Sequence, residues 1–461
     1  MQKINFNKKN IVITGVVCLV LVGGFFLFSF INSNKRVIMV KSLQALDKVS
    51  GLLLIEEDSQ KEISVLNRLV EEFTKNDGQT RTLMVLLQNN MELRPGGGFL
   101  GQYAVLKIKN GEVVSTFVED SNLLDQRITT KTPSPYPFKK MMGTKNWKFR
   151  DSNFSPDFPT NVDKAKYFLR LSGRASNFDG VIAVNATVLN DLLELTGPIT
   201  VPGYPGTYDS SNAFLKLEEQ VEKVYLMNED LDTQNRKAIM KAMAPIIIDK
   251  LFTLGNVTKI AELGHKEMRN KNVMLNFTNP DLQALVGGVN WDGKVASDWG
   301  GDYLMMSDAN MGALKTDYYM RREISYDVDL TAEKPIVTLT MLYKNTATYG
   351  DWRTSDYHSY LRVYVPEGSK LVDRKMVSYP NIGTELGKTF FGFTLHALIG
   401  GQTEAIVKYE LPENIDRENY KLLIQKQSGV GDVPVKVHVK TSKTESNQEA
   451  ILTKDLKFEV K

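Results

Sequence analysis

The sequence predicts a mixed α/β domain with helices flanking its sheet, then a C-terminal all-β immunoglobulin-like sandwich, behind one N-terminal transmembrane helix. Three observations predict it. Residues 11–31, IVITGVVCLVLVGGFFLFSFI, carry no charge. Residues 177–202, NFDGVIAVNATVLNDLLELTGPITVP, read strand, helix, strand, the order of an α/β layer. From about residue 317, short apolar–polar alternating runs recur with turn residues between them, as in a sandwich.

Composition sets the outer limits. A chain of 461 residues that is 42% hydrophobic and 24% charged is a folded one, long enough for several domains. Its net charge of +3 over 57 basic and 54 acidic residues offers nothing to nucleic acid.

At about 1.5 Å rise per residue, the uncharged run spans roughly 30 Å, the thickness of a bilayer core. A helix apolar on every face needs an apolar surround that an N-terminal leader lacks. The run is long for a cleaved signal, and no A-x-A-like site follows it. A retained single span is expected. Lys3, Lys8 and Lys9 precede it, and Lys35, Arg36, Lys41 and Lys48 follow, so charge bias does not orient it. Cys18 is the only cysteine and lies within the span. A body free of thiols suits an exported domain. The expected arrangement is a cytoplasmic N-terminus and an extracytoplasmic body.

The expected parts are a tail at 1–10, the anchor at 11–31, a helical stalk at 32–78, an α/β domain at 79–315 with a helical insertion at 210–290, and a sandwich at 316–461. Ile63, Leu66, Leu69, Val70 and Phe73 fall on one helical face, and KNDG at 75–78 ends that helix. TLMVLLQ, 82–88, reads as a buried strand. Asn110-Gly111 between two β-rich runs predicts a tight hairpin. Five prolines between 133 and 159 predict an irregular loop, and a helix over 160–173 is expected with Thr160 as its cap. Val181–Val184 reads as a strand, followed by a helix capped by Asn185 or Thr187 and stopped at Gly197-Pro198. The helical run 236–254 is expected to break at Pro245.

Three clusters carry possible chemistry. In NNMELRPGGGFLGQY, 89–103, Gly96, Gly97 and Gly98 could converge their amides on an anion, with Arg94 adding a fork. The alternative is a tight turn whose arginine pairs with a carboxylate. In WKFRDSNFSPDFPT, 147–160, Arg150, Asp151 and Asp157 could hold a cation or polar ligand, or cap the helix and tie the loop down. In DANMGALKTDYYMRR, 308–322, Asp308, Asn310, Lys315 and Asp317 read better as a latch than as a site. No G-x-S-x-G elbow, H-E-x-x-H or Walker loop is present. His265, His358, His396 and His438 lie far apart along the chain and read as structural.

Taken in order with YLRVYVPEGS, these motifs resemble the bacterial family called domain of unknown function 4012, over about 80–412. The resemblance implies a membrane-anchored, envelope-facing protein and brings no activity with it. FDGVIAVNATVLNDLLELTGPITVP and the arginine–glycine–strand pattern at 94–108 are also similar to the LytR–CpsA–Psr envelope phosphotransferases. That likeness implies transfer of a lipid-linked pyrophosphate glycan with Mg²⁺, with Arg94 at the pyrophosphate. Where that family carries an acidic residue, this chain reads Phe99-Leu100-Gly101-Gln102. Asp151 or Asp157 would then have to supply the metal ligand. Two readings follow. One is an extracytoplasmic protein that binds an anionic or pyrophosphate-linked glycan, with transfer as a further step and partners in the membrane and cell wall. The other is a non-catalytic envelope scaffold. Whether the chain is an enzyme stays open at this level.

Overall fold

A computed structural model describes residues 57–220, 238–251 and 257–460. The expected tail, the span at 11–31 and the stalk up to residue 56 lie outside these residues. Among the described residues no helix is long and apolar enough to cross a membrane. The chain divides into two compact units. The first takes residues up to 88, with 100–127 and 172–293; the second takes 89–99, 128–171 and 294–461.

The first unit is mixed α/β. Its five-stranded sheet has the order β3-β2-β1-β4-β7, built from β1 (Thr80–Asn89), β2 (Phe99–Lys109), β3 (Glu112–Asp120), β4 (Gly180–Asn185) and β7 (Val273–Phe277). A two-stranded ribbon, β5 (Ile199–Thr200) and β6 (Thr207–Tyr208), stands beside it in sequence. β1 and β4 run parallel, Leu83 opposite Gly180 and Gln88 opposite Asn185. Leu83, Met84, Val85 and Leu86 are all fully buried. Covering on both faces is why β1 reads as a continuous apolar run without alternation. The β2–β3 hairpin turns at Asn110 (φ 52°) and Gly111 (φ 75°), the backbone signs that Asn-Gly predicts. The helix Glu57–Thr74 buries Val65, Leu69, Val70 and Phe73 from one face. The helix Val188–Thr196 ends at Gly197 (φ 76°) as expected, but Thr187 at its N-cap makes no side-chain cap bond. The helix Ala238–Leu251 continues across Pro245. The expected break is absent because a proline removes one intrahelical N–H, a loss that a packed helix can absorb. The core of this unit joins these helices to β1, β2, β4 and β7.

The second unit carries the β-rich C-terminal region as two six-stranded mixed sheets. One has the order β13-β14-β11-β8-β16-β19 and the other β12-β15-β10-β9-β17-β18. The strands are β8 (Asp302–Asn310), β9 (Met320–Asp329), β10 (Ile336–Asn345), β11 (Tyr357–Pro366), β12 (Lys370–Lys375), β13 (Asn381–Glu385), β14 (Lys388–Ala397), β15 (Gln402–Glu410), β16 (Tyr420–Ile424), β17 (Pro434–Lys440), β18 (Glu445–Ile451) and β19 (Leu456–Val460). Most neighbours are antiparallel, while β16 joins β8 and β17 joins β9 in parallel. Ile324, Tyr326 and Val328 of β9 alternate with exposed residues and share one core with Leu361 and Val363 of β11 and Phe391 and Phe393 of β14. β8 is buried along nearly its whole length. It therefore shows no alternation, which is why the sequence did not announce it as a strand.

The proline-rich stretch is more ordered than expected. It holds a short helix Tyr136–Met141 and a 3-10 turn Phe149–Asp151. The next helix runs Phe158–Leu171, two residues earlier than expected, and Asp157 rather than Thr160 caps it. The Asp157 carboxylate accepts the Thr160 N–H at 3.0 Å and the Thr160 hydroxyl at 2.6 Å. An anionic oxygen over the first turn satisfies an orphan N–H and complements the helix dipole.

Candidate functional site

Arg94 lies in the interior of the second unit, 1% exposed. Its Nε donates to Asp151 Oδ1 at 3.0 Å, and Nη2 donates to Glu92 Oε1 at 2.9 Å. Nη1 donates to the carbonyls of Asn310 at 3.0 Å and Leu93 at 3.2 Å. The rings of Phe99 and Phe138 cover the guanidinium, with centroids at 5.6 and 5.9 Å. Burial raises the Glu92 pKa, against the pull of Arg94. Four N–H groups of the fork thus meet protein oxygens.

The glycines are explained by crowding and backbone sign. A Cβ on Gly96 would strike the Asn161 amide, and one on Gly98 would strike the backbone of Asn89 and Asn90. Gly97 takes φ 128°, a conformation that favours glycine. The amides are also committed. Gly96 N donates to Asn153 O at 3.0 Å and Gly97 N to Arg94 O at 2.9 Å. The carbonyl of Gly98 accepts the Asn153 side chain, and that of Arg94 accepts Gln427 Nε2 at 3.1 Å. An anion nest needs amides free to converge on a ligand; the Gly96 and Gly97 amides are turned onto carbonyls.

Arg150 shares Asp151 with Arg94, while Asp157 is committed elsewhere. Arg150 is half-buried, its Nε 3.8 Å from Asp151 Oδ2. Asp157 accepts the Val295 N–H at 3.0 Å through Oδ1 while its other oxygen caps the helix. Among the described residues no group of three or more His, Cys, Asp or Glu side chains is arranged to hold a metal.

The cluster at 308–322 forms a second buried network in the same unit. Arg322 binds Asp308 at 3.0 Å and Asp317 at 2.8 Å. Asp308 also accepts Tyr343 at 3.0 Å and Ser359 at 2.6 Å, tying strands of both sheets. Asp317 accepts Asn310 Nδ2 at 2.8 Å and the Leu93 N–H at 3.1 Å, which links this network to the arginine loop. Sequence reading named Asp308, Asn310 and Asp317 but missed Arg322 at their centre. Its signal was the alternation of β9, which turns Arg322 inward and Arg321 out.

A third network surrounds Asp302, which is fully buried. Its Oδ2 accepts the hydroxyls of Tyr326 at 2.6 Å and Tyr420 at 2.5 Å, and its Oδ1 accepts the Tyr303 N–H at 2.7 Å. Burial raises its pKa from 3.8 to about 6, although all three hydrogen bonds oppose the shift. A carboxyl whose folded pKa is raised stabilises the fold fully below its unfolded value and loses that contribution as pH rises through the folded value. Comparing urea unfolding of the native chain and Asp302→Asn should therefore show the native advantage falling by up to about 3 kcal/mol between about pH 4 and 6. A constant difference across that window would mean that Asp302 titrates normally.

Residues 78–221 match the model of the family described as Protein of unknown function (DUF4012), in keeping with the first resemblance read from the sequence. No curated protein matches the chain. The crystal structure of Lin1025 protein from Listeria innocua is 13% identical, covering 47% of this chain and 79% of that one, with a TM-score of 0.24. A likeness that weak carries no argument about fold or function.

Proposed function

We propose that this chain is a non-catalytic, membrane-tethered component of the cell envelope, its second unit an immunoglobulin-like interaction scaffold. The observation that carries this reading is Arg94, whose guanidinium is enclosed by Glu92, Asp151 and two carbonyls. Removing a buried guanidinium from two carboxylates to meet a ligand exposes three charges to loss of their partners, at a cost of several kcal/mol. The tether rests on the uncharged run 11–31 and the thiol-free body beyond it.

The glycan-phosphate reading, which rests on the likeness to the LytR–CpsA–Psr enzymes, asks Arg94, the 96–98 amides and a carboxylate to share one ligand. The commitments of Arg94 and of the Gly96 and Gly97 amides favour the scaffold. The test is titration of the full-length protein in detergent micelles with undecaprenyl pyrophosphate, with and without Mg²⁺. No saturable binding is expected in either condition. Saturable binding that is lost in an Arg94→Lys protein of unchanged fold would overturn the proposal. Protease added to intact cells should digest the body; full protection would remove the envelope placement.

A further inference from the structure

The register of β11 and β14 sets His358 directly opposite His396. Their ring centroids are 4.6 Å apart at an interplanar angle of 79°, and the two Nδ1 atoms approach to 2.5 Å. Both rings point away from the core. Tyr357 and Ser359 flank His358 and are fully buried, as are Leu395 and Ala397 beside His396. Strand alternation then turns the imidazoles outward, where His396 is exposed and His358 half-buried.

We propose that His358 and His396 form a cross-strand chelate for a divalent transition metal, with Zn²⁺ the fitting probe and water completing the coordination. Two nitrogens facing each other at hydrogen-bond distance must share a proton, one donating and one accepting. A metal replaces that proton and takes both lone pairs. At about 2.0–2.1 Å per Zn–N bond, a tetrahedral angle needs the nitrogens about 3.3 Å apart. Small rotations of two outward-facing rings supply that opening. Asp356, two residues before His358, adds negative charge nearby while its Oδ1 accepts the Ile399 N–H at 2.9 Å.

The other two histidines lack this arrangement. His438 has both nitrogens taken, by Asp327 at 2.6 Å and Glu445 at 2.8 Å, and those carboxylates raise its pKa. His265 Nε2 lies 2.5 Å from Glu62. With two protein ligands the chelate is a reversible surface site, in contrast to a closed structural centre of four.

Isothermal titration of Zn²⁺ into the full-length protein tests this, alongside His358→Ala, His396→Ala and His438→Ala. One saturable site is expected, weakened about tenfold or more in either of the first two variants and unchanged in the third. Binding should also weaken below about pH 6, where protons compete for the nitrogens. Circular dichroism of each variant separates loss of a ligand from loss of the fold. Absence of saturable binding, or binding that survives in both His358→Ala and His396→Ala, overturns the proposal. So does binding abolished only in His438→Ala.

Discussion

Replacing Arg94 with alanine should destabilise the protein by about 3–5 kcal/mol, the cost of stripping one partner from a buried ionic cluster. Glu92 would be left buried without its cation, Asp151 would keep only Arg150 at 3.8 Å, and the Leu93 and Asn310 carbonyls would each lose a donor. Urea unfolding read by tryptophan fluorescence measures the loss. The deficit should shrink toward acid pH, because protonating these two carboxylates removes the charge that makes the variant unstable. Arg94→Lys should fall between the two proteins: it keeps the charge but cannot fork to two carboxylates and two carbonyls at once. A loss under about 1 kcal/mol in the alanine variant would show that the cluster is solvated. It would also reopen Arg94 as a ligand contact.

The second large effect belongs to the first unit. Glu267 is fully buried on the helix Val257–Arg269. Asn272 Nδ2 donates to its Oε2 at 2.7 Å, and Asp191, itself 2.9 Å from Lys266 Nζ, adds a second carboxylate that raises its pKa. Burial first, then Asp191, raises the Glu267 pKa from 4.5 to about 8, against Asn272 and Lys266. On the same helix, His265 and Arg269 face Glu62. The protonated form is the native one, so its contribution is complete below about pH 4.5 and disappears as pH rises through about 8. At about 1.4 kcal/mol per pH unit, the contribution that rides on this proton is on the order of a few kcal/mol. In Glu267→Gln the amide offers an N–H to Asp191 and a carbonyl to Asn272 at every pH. Thermal unfolding from about pH 5 to 9 should show the native protein losing stability while the glutamine variant stays nearly level. Parallel curves would refute a shared proton at this position.

Much of the fold was legible because its signals are short-range. The Asn110-Gly111 hairpin, the stop at Gly197 and the amphipathic face of Glu57–Thr74 each depend on residues within a few positions of one another. The errors fell where a competing local signal or burial intervened. Asp157 outcompeted Thr160 as a cap because it sits one residue before the helix with a charged oxygen. Packing carried a helix across Pro245. β8 hid its identity because burial on both faces erased the period of two.

By itself the sequence determined the periodicities, the turns, the uncharged run at 11–31 and the residue types gathered in 89–99, 147–160 and 308–322. Only the tertiary structure decided what those residues do. Arg94 meets Asp151 across 57 positions and Asn310 across 216, and His358 meets His396 across 38. Helical and strand periods describe neighbours along the chain. Which carboxylate neutralises a buried guanidinium, and which imidazole faces another, follow from sheet register and loop packing, and these are set by the summed burial of a whole core.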